Sequence, residues 1–183
     1  DSNAQDRAIR PDPDGRRRVV LATSIAETSL TIEGIRVVVD AGWSRLPRFD
    51  PNSGLTRLAT MRVSQAAADQ RRGRAGRLGP GVCYRMWSES LTLNPHATAE
   101  ILQADLAPLL LELALWGVDD PAALSWIDAP PAGAMSQARD LLQRLEALDP
   151  NSHVTATGRR MAGLPVHPRL AHMLMRASGT ARL

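Results

Sequence analysis

Lysine is absent from this chain: all 22 basic residues among its 183 are arginine. A phosphate-gripping loop of the Gly-x-x-x-x-Gly-Lys type needs its lysine, so the chain cannot contain one. Cysteine occurs once, at Cys83, which excludes an internal disulfide and a multi-cysteine zinc site and fits a reducing compartment. Its setting, Val82-Cys83-Tyr84, predicts a buried core thiol rather than a nucleophile. No apolar run approaches the roughly 20 residues that span a bilayer, and no secretory signal opens the chain. A cytoplasmic protein with no membrane partner is therefore expected. The start is abrupt, without an initiator methionine, and reads as that of an excised fragment. His96, His153, His167 and His172 lack metal-ligand spacing, and no metal site is expected from them.

What is present is a globular composition, 44% hydrophobic, at a length that suits one large domain or two small ones. Charge is unevenly spread. Residues 1–85 hold 15 arginines against 9 acidic residues, a balance of +6; residues 86–183 hold 7 against 10, a balance of −3. The first half is the one suited to a phosphate-bearing partner. Within it lies Gln70-Arg71-Arg72-Gly73-Arg74-Ala75-Gly76-Arg77, four arginines in eight residues with two glycines between them. Guanidinium is planar, permanently charged and able to hold phosphate oxygens in pairs. Gly73 and its small neighbours let backbone approach a ligand while Arg74 and Arg77 reach for it. A solvated basic loop, or a nucleic-acid contact without chemistry, is the plainer alternative.

Along the chain, 4–10 reads as a helix end and 11–15 as a loop. Residues 18–23 and 35–40 are short β-branched runs without alternation, the pattern of parallel strands covered on both faces. The segment 24–34 between them has room for a turn of helix and a loop, so the three make an α/β unit. Residues 43–50 and 55–61 flank Pro51-Asn52-Ser53-Gly54 and predict a β-hairpin. Ser64 is placed to cap a helix through about 72, with Gly73 and Gly76 ending it. Residues 82–87 form a last strand. Leucines at 102, 106, 109, 110 and 113 predict a helix over 101–116, which Pro108 either kinks or starts, and which Gly117 ends. A further helix is expected over about 132–148, then a short wing at 148–154. Thr157 is placed to cap a helix at 158–163, and Pro168 opens one over about 168–177. Trp87, Trp116 and Trp126 sit among leucines and read as core. Trp43 either packs or stacks on a base.

A second cluster is Ala22-Thr23-Ser24-Ile25-Ala26-Glu27-Thr28-Ser29-Leu30-Thr31-Ile32-Glu33-Gly34. Hydroxyls gather here just beyond the carboxyl end of an expected strand, where ligands bind in open α/β sheets. Taken alone it is moderate evidence, because Ser and Thr also cap helices for local reasons. Together, in this order and spacing, the two clusters resemble motifs V and VI of superfamily 2 helicases of the DEAH/RHA group, nearest to the bacterial HrpB-type ATP-dependent helicases. The resemblance continues through Glu100–Leu106, Asp128-Ala129-Pro130-Pro131 and Leu164–Leu170, and so covers nearly the whole chain.

That resemblance implies roles. Arg74 and Arg77 match two arginine fingers, and Gln70 matches the opening glutamine that orients water or touches the γ-phosphate. Thr31 and Glu33, with Gly73, match positions near the nucleotide and its metal-bound water. Thr23 and Ser24 match positions that hold the nucleic-acid backbone. Ser24 stands where asparagine is usual and keeps a hydroxyl without the amide; Glu33 stands where many relatives carry aspartate. The hairpin matches an element that grips or parts strands; at Arg45, Arg48 and Arg57 phosphate contact and solvated surface fit equally. The implied fold is α/β: the later part of a second RecA-like domain with a hairpin insertion at 1–87. A helical winged-helix domain at 88–163 and the start of a ratchet-like domain at 164–183 follow. ATP and magnesium are implied for a full-length parent, with none held tightly by this fragment, because the Walker A loop and the Asp-Glu-x-His motif are missing. The implied partners are single-stranded nucleic acid, RNA ahead of DNA, and the N-terminal RecA-like domain of the same parent. The competing reading is a non-enzymatic nucleic-acid-binding winged-helix module; the acidic balance of 88–163 favours a scaffolding role instead.

Overall fold

A computed structural model describes residues 9–10, 12–28, 32–118 and 120–180. The chain divides into two compact units, residues 1–47 with 58–98, and 48–57 with 99–183.

In the first unit, helix α1 (Ile25–Thr28) leads to strand β1 (Val37–Asp40), and the strands β2 (Trp43–Asp50) and β3 (Leu55–Arg62) form the hairpin. Joined by only four residues, β2 and β3 run antiparallel. Gly54 closes their turn at φ +65°, a conformation that disfavours a side chain. Helix α2 (Gln65–Ala75) follows, then β4 (Val82–Arg85), which lies parallel to β1 with Val37 opposite Val82 and Asp40 opposite Arg85. The crossover helix α2 packs on β1, β4 and α1. Its buried side is alanine, Ala68 and Ala75, which lets the helix axis come close to the strands. Ser64 is its N-cap, with Oγ accepting from Ala67 N at 3.2 Å, as its position in the sequence predicts. The N–H groups of Gln65 and Ala66 donate to the carbonyls of Asn94 and Pro95 at 2.8 and 3.1 Å, so the exposed end of the helix is well satisfied.

Several expectations need correction. Residues 18–23 form no strand: Val19 and Leu21 are 90% and 93% exposed, and no described segment gives them a ladder. A β-branched run specifies a buried strand only when neighbours cover it. The expected helix at 4–10 lies outside the described residues apart from its last two. Gly73 does not end α2 but sits inside it, and Gly76 is the C-cap; a glycine with ordinary helical dihedrals costs stability without stopping a helix. Cys83 is half-buried rather than sealed in a core, although burial still pushes its thiol pKa up.

The second unit is helical. A single 3₁₀ turn (Glu100–Leu102) precedes helix α3 (Ala107–Leu115); α4 (Ala132–Arg144), α5 (Ala156–Ala162) and α6 (Pro168–Thr180) follow. The expected helix over 101–116 is therefore broken. Asp105 Oδ1 accepts from Ala107 N at 2.9 Å and Pro108 occupies the first turn, so proline starts the main segment rather than kinking it. Gly117, at φ +78°, follows the end of α3. The core joins Leu106, Leu110 and Leu111 to Met135, Leu141 and Leu142 across α3 and α4, closed by Leu148 and Met161. Leu142 is fully buried, a contribution of about 1.5–3 kcal/mol from transfer alone. Leu148 and Val154 form an antiparallel bridge, the short wing expected there. Thr155, not Thr157, caps α5: its Oγ1 accepts from Gly158 N at 3.0 Å and donates to Glu146 O at 2.6 Å. Gly158 is required by contact, since a Cβ there would sit 2.2 Å from the Ala147 carbonyl oxygen. Trp116 is 77% exposed and so lies outside the core, while Trp87 and Trp126 are half-buried.

Among the described residues, no helix is long and apolar enough to cross a membrane.

Candidate functional site

The first unit holds a cavity of about 660 Å³ beside β1. Its lining includes Thr23, Ser24, Glu27, Asp40, Arg45, Arg71 and Arg74. The two sequence clusters, residues 22–34 and 70–77, thus meet on one wall. They meet because the loop after residue 22 turns into α1, and α2 packs against both α1 and β1.

Arg71 makes the junction. Its Nε donates to Glu27 Oε1 at 2.7 Å, and its Nη2 donates to the same oxygen. Its Nη1 donates to Asp40 Oδ1 at 2.8 Å and to the Trp43 carbonyl at 3.1 Å. The side chains of Arg71 and Glu27 are 16% and 17% exposed, and that of Asp40 only 1%. Burial works against the arginine's charge, but the hydrogen bonds to Asp40 and Glu27 outweigh it and hold its pKa above the ordinary value. Asp40 Oδ1 also accepts from Gly42 N at 2.9 Å, while its Oδ2 is buried without a hydrogen-bond partner. With so little water at hand, removing Arg71 alone would strand a buried carboxylate, at a cost of about 3–5 kcal/mol.

A second, part-buried network runs along α2. Asp69 accepts from Gln65 at 3.0 Å and from Arg85 at 2.6 Å, which hold its carboxyl below the usual range. Around the base of the hairpin, the Arg62 guanidinium lies 3.8 Å above the Trp43 ring, so Trp43 already has a stacking partner in the protein.

The residues expected at the site fall into four groups. Thr23, Ser24, Arg45 and Arg74 line the same cavity. Gln70, Gly73 and Arg77 follow the solvent side of α2 and the bend after it, and Glu33 is exposed on the turn at 33–34. A Cβ on Gly73 or Gly76 would meet nothing within 4 Å. Neither glycine is demanded by packing or by a left-handed dihedral, and the surface over them is open to a ligand. Thr31 lies outside the described residues. Arg48 and Arg57 sit at the hairpin tip, which belongs to the second unit.

There Arg48 shares a smaller cavity, about 370 Å³, with Phe49, Asp105, Arg144 and Arg169. Asp105 Oδ2 lies 3.0 Å from His167 Nε2, and Arg169 N donates to His167 Nδ1 at 3.2 Å. Since Nδ1 accepts, the proton belongs on Nε2, which donates to the carboxylate. Burial pushes the Asp105 pKa up, but the bonds from His167 and from Ala107 N prevail and hold it below the ordinary value. Among the described residues, no group of three or more His, Cys, Asp or Glu side chains is placed to hold a metal ion.

Sequence reasoning missed Arg71, Glu27 and the His167–Asp105 pair. Arg71 and Glu27 each lie inside a recognised cluster, yet nothing in one dimension pairs charges 44 positions apart. His167 has no carboxylate near it in sequence, and its partner is 62 positions away.

Two family models match the chain: the helicase conserved C-terminal domain over residues 1–79, and the winged-helix helicase associated domain (HA2) over 138–166. The chain is 53% identical to the ATP-dependent RNA helicase HrpB of Escherichia coli over 96% of its own length. It is 44% identical, over 95% of its length, to the pre-mRNA-splicing factor ATP-dependent RNA helicase prp22 of Schizosaccharomyces pombe. It spans 22% and 15% of those two proteins. Among solved structures, the E. coli DEAH/RHA helicase HrpB superposes with a TM-score of 0.88 at 53% identity, covering 94% of this chain and 22% of that one.

Proposed function

We propose that this chain is part of a DEAH/RHA-type helicase and that within a longer protein it supplies the arginine-finger side of an ATP-hydrolysing, RNA-translocating site. One observation carries the reading. The segment with Thr23 and Ser24 and the helix with Gln70, Arg74 and the approach to Arg77 are bolted together in one wall by Arg71.

Arg74 and Arg77 present fixed positive charge to the transferring phosphoryl group. Charge that builds there in the transition state is stabilised by groups already in place, an effect on the order of 10³–10⁵ in rate for a finger of this kind. Gln70, exposed on the preceding turn of α2, orients the attacking water. Gly73 leaves room for the phosphates to approach the helix, and the open space over it fits a polyanion. Magnesium bound with the nucleotide would neutralise charge on the phosphate oxygens. Glu33, and by family resemblance Thr31, would hold water bound to that ion. Thr23 and Ser24 hold the backbone of a single strand, RNA in preference to DNA, with Arg45, Arg48 and Arg57 adding charge along the hairpin. The floor of the site, with the lysine this chain lacks, lies on an N-terminal RecA-like domain of the same parent. ATP closes the two lobes, and its hydrolysis or release reopens them and shifts the strand.

The domain plan that goes with this is the later part of the second RecA-like domain at 1–87, a winged helix at 88–163 and the start of a ratchet-like helical domain from 164. The bare faces of the parallel pair support it. Val39 and Tyr84 are 65% and 57% exposed, where parallel strands are ordinarily covered on both sides.

Hydrolysis of ATP by this polypeptide and by the full-length protein, each with and without single-stranded RNA, tests the reading. The full-length protein should show RNA-stimulated turnover and the isolated chain none. Robust RNA-stimulated turnover by the chain alone would overturn it, as would tight, salt-sensitive RNA binding by residues 88–183 in a parent without ATPase activity.

A further inference from the structure

We propose that Arg71 is a positioning residue that holds the nucleic-acid-facing segment and the nucleotide-facing helix in one fixed relation. The inference rests on the helicase reading above and names the part that transmits position within it.

The geometry is direct. Glu27 lies in α1, three residues beyond Ser24. Arg71 follows Gln70 in α2, three residues before Arg74. Two guanidinium nitrogens close on one oxygen of Glu27, a third reaches Asp40 on β1, and the Trp43 carbonyl takes a further bond at the start of β2. One side chain therefore ties together four pieces of the unit, α1, β1, β2 and α2. A displacement of 23–24 by a bound strand moves α1, and Glu27 hands that movement to α2.

The chemistry suits transmission rather than contact. Arg71 spends its donors on the protein, is 16% exposed, and faces groups that are themselves buried. Its planar fork fixes angle as well as distance, which an ammonium on a flexible stem does not. Arg72, its neighbour, reaches only Asp69 on its own helix, at 3.6 Å, and is 63% exposed, so adjacent arginines of one cluster are divided between holding and display.

The test uses the full-length protein and three variants: Arg71→Gln, Arg71→Lys and Glu27→Gln. Glutamine at 71 keeps a donor for Asp40, and glutamine at 27 keeps the shape of the glutamate, so both spare the buried carboxylate its full loss. Measured are kcat and KM for ATP with saturating single-stranded RNA, the RNA dissociation constant, and the ratio of stimulated to basal rate. A misplacement of about 1 Å at a reacting centre costs on the order of 10²-fold. Arg71→Gln and Glu27→Gln should accordingly lose about tenfold to a hundredfold in stimulated kcat, with KM and RNA affinity within about threefold of wild type. The stimulation ratio should collapse with kcat, and Arg71→Lys should recover part of both. A stimulated kcat within twofold of wild type in Arg71→Gln and Glu27→Gln would overturn the inference alone. So would an equal loss in stimulated and basal rates with no recovery in Arg71→Lys, the mark of a purely structural brace. A wild-type protein without RNA-stimulated hydrolysis would overturn the helicase reading, and this inference with it.

Discussion

Asp105 carries a burden that its place in the sequence does not announce. It accepts from Ala107 N, the first residue of α3, with one oxygen and from His167 Nε2 with the other. Because these bonds favour the charged form, its folded pKa lies below the ordinary 3.8. A carboxyl depressed in this way adds stability at pH values above its unfolded pKa, and loses it as pH falls through the folded value. Urea midpoints of the chain taken from about pH 5 down to pH 2 should therefore fall on the acid side, and Asp105→Asn should flatten that fall. An acid limb that keeps its slope in Asp105→Asn would show that the pair does not supply it. Residue by residue, the chemistry of the arginine cluster was legible because composition and spacing are one-dimensional properties. The division of labour inside it was not. Arg71 and Arg72 differ in what their side chains meet after α2 docks, and the string of letters treats them alike.

At the scale of elements, turn and cap signals read well and lone apolar runs read badly. Ser64 fixes the start of α2 and Pro-Asn-Ser-Gly fixes the hairpin because each acts within a few residues. Residues 18–23 depend on neighbours, and their β-branched pattern is not enough to make a strand. Thr155 and Thr157 are both plausible caps by type, and only the close fit of Gly158 against Ala147 decides between them. Gly73 gives an element-scale prediction. It is exposed inside a helix with open space around it, so Gly73→Ala should stabilise α2 by about 0.5–1 kcal/mol in urea unfolding of the chain. On the proposed role of Gly73 at the nucleotide, the same change should lower ATP turnover of the full-length protein, because a methyl group would then obstruct the phosphates. Greater stability with undiminished turnover would remove Gly73 from the nucleotide site.

At the scale of the whole molecule, two compact units share one chain, and the hairpin tip of 48–57 counts with the second of them. The family resemblance legible in motifs V and VI extends over nearly all of the chain, at 53% identity to one helicase and 44% to another. The charge division is equally plain: the basic half holds the arginine cluster and the acidic half is built around a leucine core. Such a division suits a first unit that meets a phosphate-bearing partner. The account stands or falls on what Arg74 and Arg77 do to a nucleotide. The deciding measurement is the RNA-stimulated rate of ATP hydrolysis by the full-length protein, compared with Arg74→Ala and Arg77→Ala. The account predicts that each substitution lowers kcat by about 10³-fold or more while RNA binding persists. Either variant turning over ATP at the wild-type rate would contradict it.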